Sequence, residues 1–255
     1  MLSGSPLADG EWLMADGQQD NPLAPHSRLP MNYLAHGIRF LDRPYFMAGP
    51  AVPDWLSVVD RRVRMRTKRI EPLLPEWPEG SPEREVALGI LQHLSDDDWF
   101  HSTFGFSDIT GRMTVLFRDA LPGDTFLNSF LGHIVTELLI DAELSERHPA
   151  HLEGYYQSLW AVDPQVVQRV VNASARDSTD LLAEFIPLFI AEGFLRDYRD
   201  SAKLLWRLNQ VMKRVKLEQL PESTIDVLDA GRDLVATHLP SLLPPDHFDW
   251  PPPPQ

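Results

Sequence analysis

His93, Asp97 and His101 stand at successive intervals of four in GILQHLSDDDWFHS, and His133, Glu137 and Asp141 repeat that spacing in FLGHIVTELLIDAEL. On an α-helix a step of four advances about 40° round the axis and roughly 6 Å along it, so each trio lies along one face. Imidazole and carboxylate are the ligand types that divalent zinc, manganese, iron or magnesium accept. The second trio sits among Phe130, Leu131, Ile134, Val135, Leu138, Leu139 and Ile140. Its helix must therefore be largely buried, and buried ionisable groups are costly unless they are paired or bind a metal. The sequence thus predicts that His93, Asp97, His101, His133 and Glu137 converge on a metal site. Their two helices would then pack with the polar stripes facing, about 8–10 Å apart.

Such a site supports hydrolysis. A bound divalent ion makes hydroxide available near neutral pH and neutralises charge on a phosphoryl oxygen. Glu137 and Asp141 are the candidates for a general base. Asp96 and Asp98 read as a solvated flank or a second layer, although Asp96, three residues after His93, can replace Asp97. His36 lies in the apolar opening MNYLAHGI, where a histidine needs a partner. Asp54, in AVPDW, is open to two readings, a helix N-cap or a member of the site. His148, His151, His238 and His247 lie near prolines or chain ends and are expected to be exposed.

The punctuation of the chain predicts the helices that position these groups. Asp54 would open a helix through WLSVVDRRVRMRTKRI, and EPLLPEWPEGSP is a proline-broken loop. Ser81 caps the helix that carries the first trio, with Pro82 in its first turn. A turn near residues 105–107 precedes DITGRMTVLFRDAL, and residues 122–124 lead into the helix of the second trio. Further helices are expected from Glu153, Pro164, Thr179 and Tyr198, and a last one over residues 222–237. No alternation of period two stands out. The expectation is an all-α bundle over residues 31–243. A disordered extension would precede it over residues 1–30, with Met31 as the natural start, and a polyproline II tail would follow over residues 244–255.

Composition narrows the classes. Cysteine is absent among the 255 residues, which excludes disulfides, thiolate nucleophiles and sulfur-ligated metals. A hydrophobic fraction of 43% is adequate for a core, and the net charge of −14 disfavours general DNA binding. The longest apolar stretch, residues 181–195, contains Glu184, Pro187 and Glu192 and falls short of the roughly 20 residues of a membrane span. It reads as a buried helix, and a cytoplasmic location is the expectation.

These motifs resemble the acyl carrier protein phosphodiesterases, a family related to the HD-type metal-dependent phosphohydrolases. The resemblance runs from MNYLAH through AVPDW and GILQHLSDDDWFH to GFLRDYRDSAKLLWRLNQVMKR, roughly residues 31–234. It implies metal or active-site roles for His36, Asp54, His93 and Asp97. It also implies a divalent cation, typically manganese, and cleavage of the phosphodiester joining phosphopantetheine to a carrier-protein serine. The chain departs from the pattern at FHSTFGF, where His101 stands near an expected aspartate, and this leaves substrate and ligand set open. The His133-x3-Glu137 spacing is similar to that of zinc-dependent phospholipase C and related nucleases, which implies phosphoester chemistry as well.

Six of the nine residues 61–69 are basic: Arg61, Arg62, Arg64, Arg66, Lys68 and Arg69. They form either a solvated helix paired to acids or a dock for a phosphorylated small molecule or an acidic carrier protein, with Arg62 and Arg66 as contacts. The sequence therefore predicts a metal-dependent phosphoester hydrolase using manganese, zinc or iron. The rival is a non-enzymatic helical binding protein with a buried histidine–acid network. A carboxylate-bridged oxidoreductase is a third class, but its Glu-x-x-His signature is missing from the candidate helices.

Overall fold

Two prolines inside one helix set the frame of this fold. The computed structural model describes residues 32–121, 123 and 125–248, and every regular element among them is helical. The chain opens with α1 (Tyr33–Gly37), a 3-10 turn (Ile38–Phe40) and α2 (Pro44–Val59). Pro50 and Pro53 lie within α2, and neither can donate to the carbonyl four residues back, which belongs to Phe46 or Gly49. Phe46 and Gly49 are three apart and share one helical face. That face packs on α4 (Pro82–Ser102).

Glycine permits the approach. A Cβ on Gly89 of α4 would sit 2.0 Å from the Phe46 carbonyl oxygen and 2.9 Å from the Gly49 Cα. A Cβ on Gly49 would meet the Val86 carbonyl oxygen at 2.5 Å. The two backbones are thus in direct contact. Arg43 pairs with Glu85, Gly49 faces Gly89 and Asp54 lies near His93, so the helices run in the same direction. Residues 60–81, including α3 (Thr67–Ile70), make the return connection that this arrangement requires.

The Ser81 side chain accepts a hydrogen bond from the Arg84 N–H, so the expected cap is present. Beyond α4 come α5 (Phe104–Ala120), α6 (Thr125–Arg147), α7 (Pro149–Trp160) and α8 (Pro164–Ser174). They are followed by α9 (Leu182–Glu192), α10 (Ser201–Arg214) and α11 (Thr224–Leu242). Trp55, Tyr155, Phe117 and Phe189 are fully buried in a core shared by these helices. No helix among the described residues is long and apolar enough to cross a membrane.

Several expectations are corrected. Asp54 does not cap a helix: it lies well inside α2, which starts ten residues earlier at Pro44. Residues 61–66 are not helical: a turn at 61–62 breaks off from α2, and the stretch that follows alternates buried Val63 and Met65 with exposed arginines before an extended Arg66. Residues 105–107 belong to α5, whose cap is Thr103, accepting from the Phe106 N–H. The start of the tail is folded back: Phe248 is buried, and the His247 ring stacks on Trp99 at 3.7 Å. Of the four histidines expected to be exposed, His151 is buried against neighbouring helices and His148 and His238 are half-buried. The disordered extension, the start at Met31 and the proline run from residue 249 lie outside the described residues.

Candidate metal centre

The face of α4 that follows Gly89 carries His93 and Asp97, and α2 delivers Asp54 against it. His36 comes from α1, its ring centroid 4.3 Å from that of His93. His36 Nε2 lies 3.6 Å from Asp97 Oδ1, while His93 Nε2 lies 3.8 Å from Asp97 Oδ2 and 3.9 Å from Asp54 Oδ1. These separations are too long for hydrogen bonds. They are close to the roughly 3–3.5 Å between donors that share one ion at about 2.0–2.2 Å. All four residues are buried.

Both ring nitrogens of His36, both oxygens of Asp54 and Nδ1 of His93 are buried without a hydrogen-bond partner. Leaving such atoms unmet is expensive, more so for a charged group. Burial pushes the Asp54 carboxyl well above its usual range, and the nearby Asp97, Glu137 and Asp141 push the same way against the opposing pull of His36. Burial also lowers His93, with the charge of His36 adding to it, to about 3. Burial works against protonated His36 too, but Asp96 and Asp97 outweigh it and push the group up to about 10. The carboxylates thus favour positive charge on His36, while burial and that charge disfavour it on His93. Ligand atoms of His36, His93 and Asp97 all lie within 4.8 Å of one another, a donor set whose type and spacing suit a divalent ion, and Asp54 stands beside that group, 3.9 Å from His93 Nε2.

One turn further along α4, His101 reaches α6. Its Nε2 lies 2.9 Å from Glu137 Oε1, and His133 Nε2 lies 3.2 Å from the same oxygen. The three offer ligand atoms within 4.8 Å of one another. Unlike the first group, this one is partly satisfied by its own hydrogen bond, although Glu137 Oε2 is buried without a partner. Burial raises the Glu137 carboxyl, but His133 and His101 outweigh it and hold it below its usual range. Asp97 joins the groups. Burial raises its carboxyl, and the imidazoles of His36, His93 and His101 outweigh that and hold it far below the usual range. His133 is the most open member, with its side chain 39% exposed.

The helices meet differently from the expectation. α4 packs chiefly on α2, and α6 chiefly on α5. α4 reaches α6 through His101 and Glu137 near its C-terminal end, not along a facing stripe. The glycine contact with α2 is the physical reason, since it takes the face of α4 that a parallel stripe would need.

Asp141, expected from the sequence as a candidate base, has a structural task. Its oxygens accept from the N–H groups of Leu34 at 2.9 Å and Ala35 at 2.8 Å, at the start of α1. A helix of five residues cannot hold itself in water, so α1 depends on this anchor. Asp141→Ala is expected to cost about 2–4 kcal/mol, from lost charge-assisted hydrogen bonds, and to release His36. Chemical denaturation combined with metal titration checks both effects.

Asp96 supports His36 from the other side. It accepts from Arg39 Nη2 at 2.6 Å and Gln92 Nε2 at 2.8 Å, and lies 3.7 Å from His36 Nδ1. A carboxylate behind a ligating histidine fixes ring orientation. Asp96 is buried while Asp98 is exposed, so only Asp96 belongs to the site. Arg39, Gln92, Gly49 and Gly89 escape sequence reasoning. Gly89, one turn before His93 in mid-helix, is the one signal that marked a close approach.

Burial pushes the Asp141 carboxyl up from 3.8 to about 7, against the opposing backbone hydrogen bonds. A carboxyl raised by folding contributes stability that is present below its unfolded pKa and lost as pH rises through the folded one. In metal-free protein Asp141 therefore contributes stability that declines between pH 3.8 and about 7, while His93, lowered to about 3, contributes the opposite slope up to its ordinary 6.5. The Asp141 contribution is read as the difference between melting curves of the unaltered chain and Asp141→Asn in chelator, and a difference that does not change with pH over that range would reject this assignment.

No family model, curated protein or solved structure matches this chain. The site is accordingly read from its own chemistry.

Proposed function

We propose that this chain is a metal-dependent phosphoester hydrolase whose ion is held by His36, Asp54, His93 and Asp97. The observation that carries this reading is the buried, unmet donor set on those residues. The rival reading, a self-satisfied histidine–acid network, is disfavoured by the same atoms, since such a network would leave few of them without partners. Among the described residues Arg39 pairs with Asp96 at 2.6 Å, whereas the buried carboxylates of Asp54 and Asp97 face the imidazoles of His36 and His93. Carboxylates and imidazoles gathered in this way are the groups that a buried divalent ion would join.

A divalent ion there, with manganese, zinc and iron as the candidates, would supply an acidified water and neutralise charge on a phosphoryl oxygen. The protein's own groups do the rest. Glu137, beside the ion site and hydrogen-bonded to His101, accepts the proton of the attacking water. His133, the solvent-facing member, passes a proton to the departing alcohol oxygen. Water and a phosphodiester thus become a phosphomonoester and an alcohol. In the finer form of the proposal the diester joins phosphopantetheine to a carrier-protein serine, as the resemblance at MNYLAH, AVPDW and GILQHLSDDDWFH implies. Asp141 is committed to α1 and takes no part in proton transfer.

The test loads the protein with manganese, zinc or ferrous iron. It assays bis(p-nitrophenyl) phosphate and a phosphopantetheine-bearing carrier protein. Glu137→Gln is expected to keep the metal and lower kcat by about 10²–10⁴-fold, the usual range for a general base. A metal-loaded protein inert on every phosphodiester offered would sink the proposal.

A further inference from the structure

The basic stretch is not absorbed by this function, and its geometry is specific. Between α2 and α3 a turn at residues 61–62 leads into residues 63–66, which reach an extended conformation at Arg66, with Val63 and Met65 buried and Arg62, Arg64 and Arg66 exposed. In an extended chain, residues two apart share a face at about 6.6 Å spacing. The apolar side chains thus pin the segment to the core and hold three guanidiniums in a row. Lys68 and Arg69 from the short helix, with Arg176 and Asp177 from the loop after α8, close a groove of about 270 Å³.

Charge within the groove is unbalanced. Arg62 is neutralised by Asp60, donating from Nε at 3.0 Å and Nη2 at 2.9 Å. Among the described residues, Arg64, Arg66, Lys68, Arg69 and Arg176 make no ion pair, in a protein with 37 acidic and 23 basic residues. Asp177 is the single acid in the lining, and among the described residues no ion pair joins it to these five cations. Like charges held together without partners repel, and a bound polyanion would relieve that repulsion.

Shape selects the anion. The groove is just below the roughly 300 Å³ at which small-molecule pockets begin, which is too small for a protein face or a duplex. Every lining side chain is charged and none is aromatic, so there is no platform for a nucleobase. Planar, forked guanidiniums suit phosphate oxygens. We infer that this groove binds a ligand carrying two or three linked phosphate groups, held by Arg64, Arg66, Lys68, Arg69 and Arg176. None of its lining residues belongs to the candidate metal centre.

Calorimetry on the full chain tests this with inorganic tripolyphosphate, ATP and orthophosphate. Tripolyphosphate is expected to bind at least about tenfold more tightly than orthophosphate, since each added charge-assisted hydrogen bond is worth that much. Binding should weaken steeply with salt. An Arg64→Ser, Arg66→Ser double variant should lose it without a change in melting temperature, because both side chains are exposed. His93→Ala should keep it. ATP binding as well as tripolyphosphate would extend the site to nucleotides, and ATP failing where tripolyphosphate binds would restrict it to the inorganic chain. Either outcome supports the inference. Equal affinity for orthophosphate and tripolyphosphate overturns it. So does binding that survives in the arginine variant but not in His93→Ala, or binding of an acidic protein or RNA with no response to tripolyphosphate.

Discussion

Stripping divalent metal from the protein is expected to lower its melting temperature by about 5–10 °C, and His93→Ala is expected to abolish that shift. An ion at about one hundred times its Kd stabilises the folded state by about 2.7 kcal/mol. A domain of this size moves by about 2–4 °C per kcal/mol. Asp54→Asn sharpens the test, because it removes a buried charge without removing volume. Asp54 has no hydrogen-bond partner, and burial drives its carboxyl toward the neutral form. In chelator, then, Asp54→Asn should melt higher than the unaltered chain. With metal present it should melt lower, since a ligand is gone. A hydrogen-bond network without metal gives no reason for the sign to change with chelator. His133→Ala should have the smaller effect on metal retention, because His133 is partly exposed and lies outside the group of His36, His93 and Asp97. Elemental analysis alongside the melting curves measures retention directly, and equal curves with and without chelator would defeat the metal reading.

What could be read from the residues follows from where local physics dominates. The stripes on α4 and α6 were visible because intervals of four map directly onto one helical face. Ser81 followed by Pro82 announced a helix start for equally local reasons. The all-α class followed from helix-length apolar periods between Pro and Gly breaks. Asp54 was ambiguous because Pro50 and Pro53 resemble helix breakers. Their place inside α2 is visible only in three dimensions, where the face bearing the Phe46 carbonyl packs closely on Gly89. Residues 61–69 were expected to be helical because Asp54 read as the cap of a helix running through WLSVVDRRVRMRTKRI, and only the part from Thr67 is so. The alternation of Val63 and Met65 with arginines was the true signal, and it spans too few residues to stand out.

The roles of Asp141 and Phe248 were illegible for a different reason. Asp141 shares the stripe of His133 and Glu137, and only the position of α1 shows that its oxygens are committed to backbone N–H groups. Phe248 looked like part of a tail. It packs under the Arg39 guanidinium, 4.7 Å from its ring centroid, and Arg39 in turn holds Asp96 behind His36. Contacts between residues more than fifty positions apart in sequence decide both cases, and no local pattern encodes them.

Gly89→Ala is expected to destabilise the protein by about 3 kcal/mol, near the upper end for an overpacked interior, and to remove the metal site with it. In an isolated helix the same change would stabilise by about 1 kcal/mol, because alanine is the better helix former. The sign reverses here because the new Cβ would stand 2.0 Å from the Phe46 carbonyl oxygen and 2.9 Å from the Gly49 Cα. Both are backbone atoms, so no side chain can swing away. α2 and α4 must separate, and they carry the opposite walls of the site, with Asp54 on one and His93 and Asp97 on the other. Asp54 lies five residues beyond Gly49 and His93 four beyond Gly89, so the strain falls within two turns of the donors. Gly111→Ala supplies the control. Gly111 is exposed in α5, a Cβ there would meet nothing within 4 Å, and the substitution should stabilise by about 0.5–1 kcal/mol. Denaturant titration of both variants, with metal content measured on each, separates helix propensity from helix contact. If Gly89→Ala matched Gly111→Ala in stability and still held its metal, the close approach would not be what positions the site.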